Sequence, residues 1–404
     1  MKIIVSFTSY PPRINSVHKV VESLYRQTVL ANEIILYLSL DEFPKEEEDV
    51  PETLRRLIGH RGFRIEWVQG NLKSHKKYYY ALQKYTDAVV ITVDDDKIYA
   101  ETMISDLIKG YERFPNAVSA RIIRIMLKKS PETLESYNRW EKEKYLEEYT
   151  DEPRMDLCAI GAGGICYSPS LGYDDLFNVN TILEVAGDYD DLWLKYNEMI
   201  NNIPVVYTKP SQKDITIDNS QVCRLAANNL YGNGNDKCID KLFEMLKVRD
   251  ANCYQKLFQN LMTWEEYITK KKSYYSNVYG AVFDGLGKIP IYIYGAGKMT
   301  QYILMILTDL GLKQRIAAII VSDKLGNPSD LYGLQVRSLS EINRNKELGV
   351  ILGVRNENRK AVLDGLTGYH YHNIELDWHI IALYYPIERF YYKMMSTRYM
   401  NQQI

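Results

Sequence analysis

The 404-residue sequence contains no apolar run long enough to cross a bilayer. A membrane-spanning helix needs about 20 predominantly apolar residues, and every apolar stretch here is shorter than about 18. Segment 1–10 starts at once with a strand-like run, and Pro11-Pro12-Arg13 follows it where a signal peptide would carry small residues for cleavage. We therefore expect a cytoplasmic protein.

An excess of one charge is also missing, because 50 Lys and Arg stand against 52 Asp and Glu, for a formal net charge of -2. Extensive nucleic-acid binding usually requires a basic excess, so we expect no nucleic-acid partner.

The five cysteines form no Cys-x-x-Cys pair, and their odd number favours a reducing compartment. Phe and Trp are scarce at 9 and 5 residues, whereas Tyr is abundant at 34. Tyrosine combines a flat apolar face with a hydroxyl, which suits sugar rings and protein interfaces.

The hydrophobic pattern divides the chain into four zones. In the first zone short apolar runs alternate with amphipathic stretches: strands are predicted at 2–7, 33–38, 63–68 and 88–93, and helices at 17–27, 52–57 and 78–85. This rhythm predicts an α/β fold with a mostly parallel sheet covered by helices. The predicted zones are an α/β domain at 1–245, a helical connector at 246–286, a smaller α/β domain at 287–375 and an aromatic, basic tail at 376–404.

An acidic triplet, Asp94-Asp95-Asp96, follows the apolar strand predicted at 88–93. In a continued strand Asp94 and Asp96 would share one face and Asp95 would point away. Ligands of open α/β sheets bind at the carboxyl ends of strands, and two carboxylates placed there favour a hard divalent cation. The triplet therefore predicts a Mg²⁺ or Mn²⁺ site on Asp94 and Asp96; the alternative is a solvated acidic loop.

Three further segments carry polar groups of matching chemistry. The first strand leads into Thr8, Tyr10 and Arg13, while Lys73, Lys76 and Lys77 precede the predicted helix at 78–85. These basic side chains are candidates to bind phosphates, and the alternative for the lysines is a solvated helix start. Asp190 and Asp191 open an amphipathic helix, where acids also stabilise the helix dipole without any catalytic role.

Taken in order, segments 6–13, 71–78, 94–96 and 187–195 resemble the motifs of nucleotide-sugar glycosyltransferases of the GT-A type, close to bacterial family 2 and polysaccharide-assembly enzymes. The resemblance covers residues 1 to about 240. It implies a Rossmann-like, mostly parallel GT-A domain, a nucleotide-diphosphate donor such as a UDP-sugar, and an acceptor that is a surface or capsular glycan or a lipid-linked sugar. It also implies direct displacement with inversion.

The resemblance assigns roles to the same residues. It makes Asp191 the catalytic base with Asp190 in support, and it places Asp94 and Asp95 at the donor. The glycine-rich segment 161–164 resembles the stretch that borders donor and acceptor in such enzymes, which implicates Gly163 and Gly164. Tyr10 and Tyr167 flank this predicted site. A tight turn between strands is the alternative for the glycines, since three glycines in four residues also permit unusual backbone angles.

The second α/β domain opens with a strand and the glycine turn Gly295-Ala-Gly297. This turn resembles the start of a Rossmann-like nucleotide-binding unit, with Asp323 after the next strand where an acid binds ribose. Thr300 occupies the position of the third glycine of that motif, which departs from the pattern. Ligand binding and a structural role therefore both remain open for this domain.

Two rival functions remain at this point: a nucleotide-sugar oxidoreductase or epimerase centred on Gly295 and Gly297, and a sugar-nucleotide binding module without catalysis. The tail at 376–404 mixes aromatic, apolar and basic residues. Such a composition suits a membrane interface on the inner face of the membrane or a contact with a second copy of the chain. Packing on the second domain is the alternative.

Overall fold

The protein is described from a computed structural model, which places residues 1–143, 152–173, 175–217, 234–354 and 356–376. The chain forms two compact units, Met1–Trp264 and Glu265–Ile404. The unit that begins at Met1 is called the first unit, and the other is called the second unit. Among the described residues no helix is long and apolar enough to cross a membrane.

The first unit contains fifteen described strands, many of them only two to four residues long. They are β1 Ile3–Thr8, β2 Glu33–Ser39, β3 Phe63–Val68, β4 Val89–Thr92, β5 Lys97–Ile98, β6 Val118–Ala120, β7 Ile123–Ile125, β8 Leu127–Ser130, β9 Thr133–Leu134, β10 Glu141–Glu143, β11 Leu157–Ala159, β12 Ile165–Tyr167, β13 Val205–Tyr207, β14 Ile215–Thr216 and β15 Met262–Thr263.

Seven of these strands form the central sheet, in the order β13-β6-β12-β4-β1-β2-β3. All neighbours run parallel except β12, which is antiparallel to both β4 and β6. Every residue of β4 is buried, as expected for a parallel strand covered on both faces. Smaller sheets join β10-β7-β11, β14-β5 and β15-β8-β9.

The described helices of the first unit are mostly short. They are α1 Val17–Tyr25, α2 Glu52–Arg55, α3 Lys76–Lys84, α4 Met103–Arg113, α5 Val179–Thr181, α6 Asp190–Ile200, α7 Gly234–Arg249 and α8 Ala251–Asn260.

Helices cover both faces of the central sheet because residues of β1 alternate between two hydrophobic clusters. Val5 and Phe7 pack in a cluster with apolar residues of α1 and α4, whereas Ile4 packs on the other face with Ala81 of α3. This period of two is what a strand imposes on its side chains. The three layers leave the carboxyl ends of β1 and β4 at one edge of the sheet.

The second unit is a six-stranded sheet, in the order β18-β19-β17-β16-β20-β21, with only the β18–β19 pair antiparallel. Its strands are β16 Ile291–Tyr294, β17 Ile316–Val321, β18 Asp330–Leu331, β19 Leu334–Ser338, β20 Leu348–Leu352 and β21 Tyr371–Ile374. Three further helices are α9 Trp264–Gly285, α10 Lys298–Asp309 and α11 Asn356–Gly365.

The α/β class predicted from the sequence, with a mostly parallel sheet followed by a second, smaller α/β unit, is confirmed. The strand predicted at 63–68 matches β3 residue for residue. One difference matters for the site: β4 ends at Thr92, so the acidic triplet lies in a turn and not in a strand. The strand alternation used to predict the directions of its side chains therefore does not apply.

Candidate active site

A cavity of about 600 Å³ lies in the first unit, at the carboxyl ends of β1 and β4 and the first turn of α6. Four separate stretches of the sequence contribute the predicted residues to its lining. The predicted site residues that line it are Thr8, Tyr10, Arg13, Lys73, Lys76, Lys77, Asp94, Asp95, Asp96, Asp190 and Asp191.

The acidic turn is fastened to the turn that follows β1. Asp95 is buried, and its two carboxylate oxygens accept hydrogen bonds from the Ser9 hydroxyl at 2.6 Å and from Arg13 Nη1 at 2.7 Å. Arg13 Nη1 also lies 3.5 Å from a carboxylate oxygen of Asp96. Burial raises the pKa of Asp95, and the positive charge of Arg13 partly offsets this. Asp95 therefore holds two loops of the cavity together.

Lys77 joins the acidic turn to the start of α6. Its Nζ lies 2.8 Å from Asp94 Oδ1 and 2.7 Å from Asp190 Oδ2, and only 5% of its side chain is exposed. Burial alone would lower the pKa of Lys77, but Asp190 and Asp94 hold it well above its usual value. Lys77 was predicted to bind phosphate; the structure places its ammonium group between two carboxylates.

The two carboxylates that open α6 have opposite environments. Burial would raise the pKa of Asp190, but the ion pair with Lys77 lowers it, so Asp190 stays ionised. Burial raises the pKa of Asp191, and the neighbouring charge of Asp190 adds to the effect. Asp191 Oδ1 accepts a hydrogen bond from the backbone N–H of Gly161 at 3.1 Å. A pair of acids whose pKa values are pushed apart is typical of an acid–base site.

The glycine that lies against the charged side chains of Lys77 and Asp191 is Gly161, and not Gly163 or Gly164. A Cβ at Gly161 would come within 2.6 Å of Lys77 Nζ and within 3.2 Å of both Asp191 Oδ1 and Asp94 Oδ1. The backbone must therefore approach closely at this position, which only glycine permits without displacing a neighbour.

Gly163, Gly164 and Tyr167 are placed in the interior instead. A Cβ at Gly163 would lie 2.6 Å from the side chain of Ile122, and one at Gly164 would lie 3.2 Å from that of Leu107. Tyr167 is buried in β12 within the central sheet. None of these three residues is among the described residues that line the cavity, and their predicted places beside the substrates stay predictions.

Lys73 and Lys76 line the cavity with their ammonium groups already engaged. Lys73 Nζ lies 2.9 Å from Asp188 Oδ1, and Lys76 Nζ lies 2.7 Å from Glu42 Oε2. Lys76 is buried, whereas about half of the Lys73 side chain is exposed, 48%. A phosphate would have to compete with these carboxylates for either lysine, and the exposed Lys73 pair is the weaker competitor.

The cavity lining carries more negative than positive charge: seven carboxylates face five basic side chains. A nucleoside diphosphate, itself an anion, would be repelled unless a cation entered with it. Among the described residues no ready-made group of three or more acidic, His or Cys side chains is arranged to hold a metal. Asp94 and Asp96 nevertheless supply hard oxygen ligands beside open space, and Mg²⁺ and Mn²⁺ bind to few carboxylates together with phosphates. The residues therefore fit a divalent cation that arrives with its phosphate ligand.

Two prominent lining residues, Arg124 and Tyr137, were missed by the sequence analysis. Arg124 lies in the middle of β7, and its guanidinium stacks 4.3 Å from the centre of the Tyr137 ring. The local sequence, Ile-Arg-Ile, has the ordinary alternation of a half-exposed strand, so nothing in it indicates a cavity. The abundance of tyrosine was the only signal that could have directed attention to Tyr137.

The glycine turn of the second unit joins β16 to α10, and the structure shows why Thr300 can replace the third glycine. Gly295 has φ +109°, and a Cβ there would lie 2.9 Å from the carbonyl oxygen of Gly353. Thr300, in place of the third glycine, is buried and donates its hydroxyl to the Gly295 carbonyl at 2.5 Å. Gly297 caps the start of α10, while Asp323 is exposed and accepts the backbone N–H of Leu325. Ligand binding by this turn stays a prediction.

The interface role predicted for the tail at 376–404 lies outside the described residues, apart from Leu376.

No protein-family model matches the chain, and no curated protein matches it. Among solved structures, it is similar to the mannosyltransferase PcManGT from Pyrobaculum calidifontis in complex with GDP-Man and Mn²⁺, with 13% identity, 78% of this chain and 84% of that chain covered, and a TM-score of 0.40. For S. aureus TarS 1–349 in complex with UDP-GlcNAc the identity is 14%, the coverage 62% and 67%, and the TM-score 0.35.

For glucosyl-3-phosphoglycerate synthase from Mycobacterium tuberculosis in complex with Mn²⁺, UDP and glucosyl-3-phosphoglycerate, the identity is 15% and the TM-score 0.23. The chain spans 43% of that structure, which aligns with 30% of this chain. These three structures contain UDP, GDP-Man or UDP-GlcNAc, and each is only distantly similar to this chain.

Proposed function

We propose that the first unit is a metal-dependent, inverting glycosyltransferase that moves a sugar from a nucleotide-diphosphate donor, a UDP-sugar, to a surface or capsular glycan or a lipid-linked acceptor. One observation carries the proposal: a single cavity combines the acidic turn 94–96 with the pair Asp190 and Asp191, whose pKa values are shifted in opposite directions. Sugar transfer needs both groups, because it has an anionic leaving group to stabilise and a hydroxyl to deprotonate.

The donor would lie along the turn after β1 and the acidic turn. Thr8 and Tyr10 line this part of the cavity and would contact the nucleoside, Tyr10 by stacking on the base. Asp94 and Asp96 would hold Mn²⁺ or Mg²⁺, which supplies positive charge to the diphosphate. Arg13 and the exposed Lys73 are the basic side chains that would add hydrogen bonds to the phosphates.

Asp191 would act as the base. Its carboxylate takes the proton of an acceptor hydroxyl as that oxygen forms a bond to the anomeric carbon, and the bond from this carbon to the phosphate oxygen breaks, so that UDP leaves. The raised pKa makes Asp191 a stronger base than an ordinary carboxylate. Asp190 stays ionised on Lys77 and holds the start of α6 against the acidic turn. Because the acceptor oxygen displaces UDP directly, with no covalent intermediate on the protein, the configuration at the anomeric carbon inverts.

The test is release of UDP from a panel of UDP-sugars in the presence of Mn²⁺. We expect one sugar to be turned over, and Asp191→Asn to slow that turnover by about 10²-fold or more, since general-base catalysis contributes on that scale. UDP affinity should be unchanged in this variant. Asp41→Asn, at an exposed site outside the cavity lining, is the matched control and should keep the full rate. An Asp191→Asn variant with the wild-type rate would exclude Asp191 as the base.

A further inference from the structure

The five basic side chains of the cavity differ in how their charge is compensated. Four of them are ion-paired: Arg13 with Asp95, Lys73 with Asp188, Lys76 with Glu42, and Lys77 with Asp94 and Asp190. The fifth, Arg124, pairs with no carboxylate of the described residues; its contacts are two carbonyl groups and the ring and hydroxyl of Tyr137. Arg124 is therefore the exception in a cavity that otherwise neutralises its cations.

The Arg124 guanidinium is held in a defined position. Nη1 donates to the carbonyl oxygens of Trp140 at 2.7 Å and of Tyr137 at 3.2 Å, and the Tyr137 ring supports its face. Tyr137 is itself anchored, because its backbone N–H donates to Asp236 Oδ1 at 2.7 Å. Both carbonyl bonds use Nη1, so the Nε and Nη2 edge of the guanidinium is not committed to them. This edge has the fork geometry that binds carboxylate or phosphate in a bidentate manner.

Arg124 belongs to the wall of the cavity that carries Asp191. In the antiparallel pair of β7 and β11, Arg124 lies opposite Cys158. From β11 the chain continues to Gly161, whose N–H binds Asp191. Burial raises the pKa of Tyr137, and the negative charge of Asp191 contributes to the same shift. By contrast, Arg13 serves the turn after β1, where the donor is proposed to lie.

We propose that Arg124 binds a carboxylate or phosphate group of the acceptor, so that the acceptor of this enzyme is an anionic glycan. This inference rests on the proposed function, since it places the acceptor beside Asp191. An anionic acceptor would be repelled by the excess of carboxylates in the cavity unless a dedicated cation received it. A side chain fixed by stacking and by two carbonyls offers that cation at little entropic cost.

The experiment titrates three probes, glucuronate, glucose-6-phosphate and glucose, into the protein saturated with UDP and Mn²⁺, at fixed ionic strength and by ligand-observed NMR. We expect at least one anionic probe to bind about tenfold more tightly than glucose, as a charged hydrogen-bond pair implies. Glucuronate and glucose-6-phosphate separate a carboxylate from a phosphate group. Arg124→Gln should remove the preference, while Arg124→Lys, which keeps the charge, should retain most of it.

Arg139→Gln is the matched control, because Arg139 lies two residues after Tyr137, is exposed and pairs with Glu135. Equal binding of glucose and both anionic probes, or a preference that survives in Arg124→Gln, would overturn the inference. So would a tenfold loss of UDP affinity in Arg124→Gln without any probe, since Arg124 would then serve the donor. If the wild-type protein binds no UDP, the proposed function fails, and the same probe titrations without nucleotide still test Arg124.

Discussion

Removing the ammonium group of Lys77 should destabilise the first unit far more than removing any exposed lysine. In Lys77→Met the side-chain volume is nearly kept, but Asp94 and Asp190 lose hydrogen bonds of 2.8 and 2.7 Å to a buried cation. Breaking a buried ion pair by removing one partner costs about 3–5 kcal/mol, because the remaining charge stays buried without compensation. We expect the free energy of unfolding to fall by that amount.

Lys84→Met is the matched control on the same helix. Lys84 pairs with Glu66 at 3.0 Å, but 52% of its side chain is exposed, and such surface pairs contribute less than about 1 kcal/mol. Urea unfolding followed by tryptophan fluorescence reports on the first unit, which contains four of the five tryptophans. Adding Asp190→Asn to Lys77→Met should recover part of the loss, because it removes the uncompensated charge. Equal destabilisation by Lys77→Met and Lys84→Met would refute the role given to Lys77.

Two further predictions concern the surroundings of this ion pair. Burial lowers the pKa of His75 to about 4, and its neutral ring donates a hydrogen bond from Nε2 to the Gly187 carbonyl. Because the unfolded chain protonates His75 near pH 6.5, the stability that the neutral ring contributes is complete above about pH 6.5 and is lost as the pH falls towards 4. Urea titrations should show that wild type loses about 3 kcal/mol more over this range than His75→Gln, and parallel pH profiles would contradict this assignment. Gly161→Ala should lower UDP-sugar turnover about tenfold or more, because the added Cβ would displace Lys77 Nζ. Gly172→Ala is the control and should leave turnover unchanged, since nothing lies within 4 Å of the added Cβ. Equal turnover by the two variants would show that the close approach at Gly161 is dispensable.

The elements that surround the site could be predicted from the sequence because each follows from a local pattern. Apolar runs with β-branched residues identify strands such as β1 and β4, and the acidic turn 94–96 is visible as a triplet just beyond β4. The carboxyl end of a parallel strand is also a place where ligands bind, so the position of the cavity could be anticipated. The helix opened by Asp190 and Asp191 was recognisable from its amphipathic pattern.

The partners of each side chain could not be predicted, because they come from distant parts of the chain. Lys77 and Asp190 are separated by more than a hundred residues, so the lysine looked like a free phosphate ligand. Which glycine of segment 161–164 lies against the charged side chains depends on the exact turn, and the structure selects Gly161. Arg124 lies in a short strand of ordinary composition, and only the pairing of β7 with β11 brings it to the wall near Asp191.

Calorimetric titration of UDP with and without Mn²⁺ tests the central claim, that the cavity is a metal-dependent nucleotide-sugar site. The account predicts that UDP binds in the presence of Mn²⁺, that binding weakens about tenfold or more without the metal, and that Asp96→Ala has the same effect while Asp41→Asn has none. NAD, titrated in parallel, tests the rival function centred on Gly295 and Gly297. UDP binding that is indifferent to Mn²⁺ and to Asp96→Ala, or tight NAD binding without UDP binding, would contradict the account.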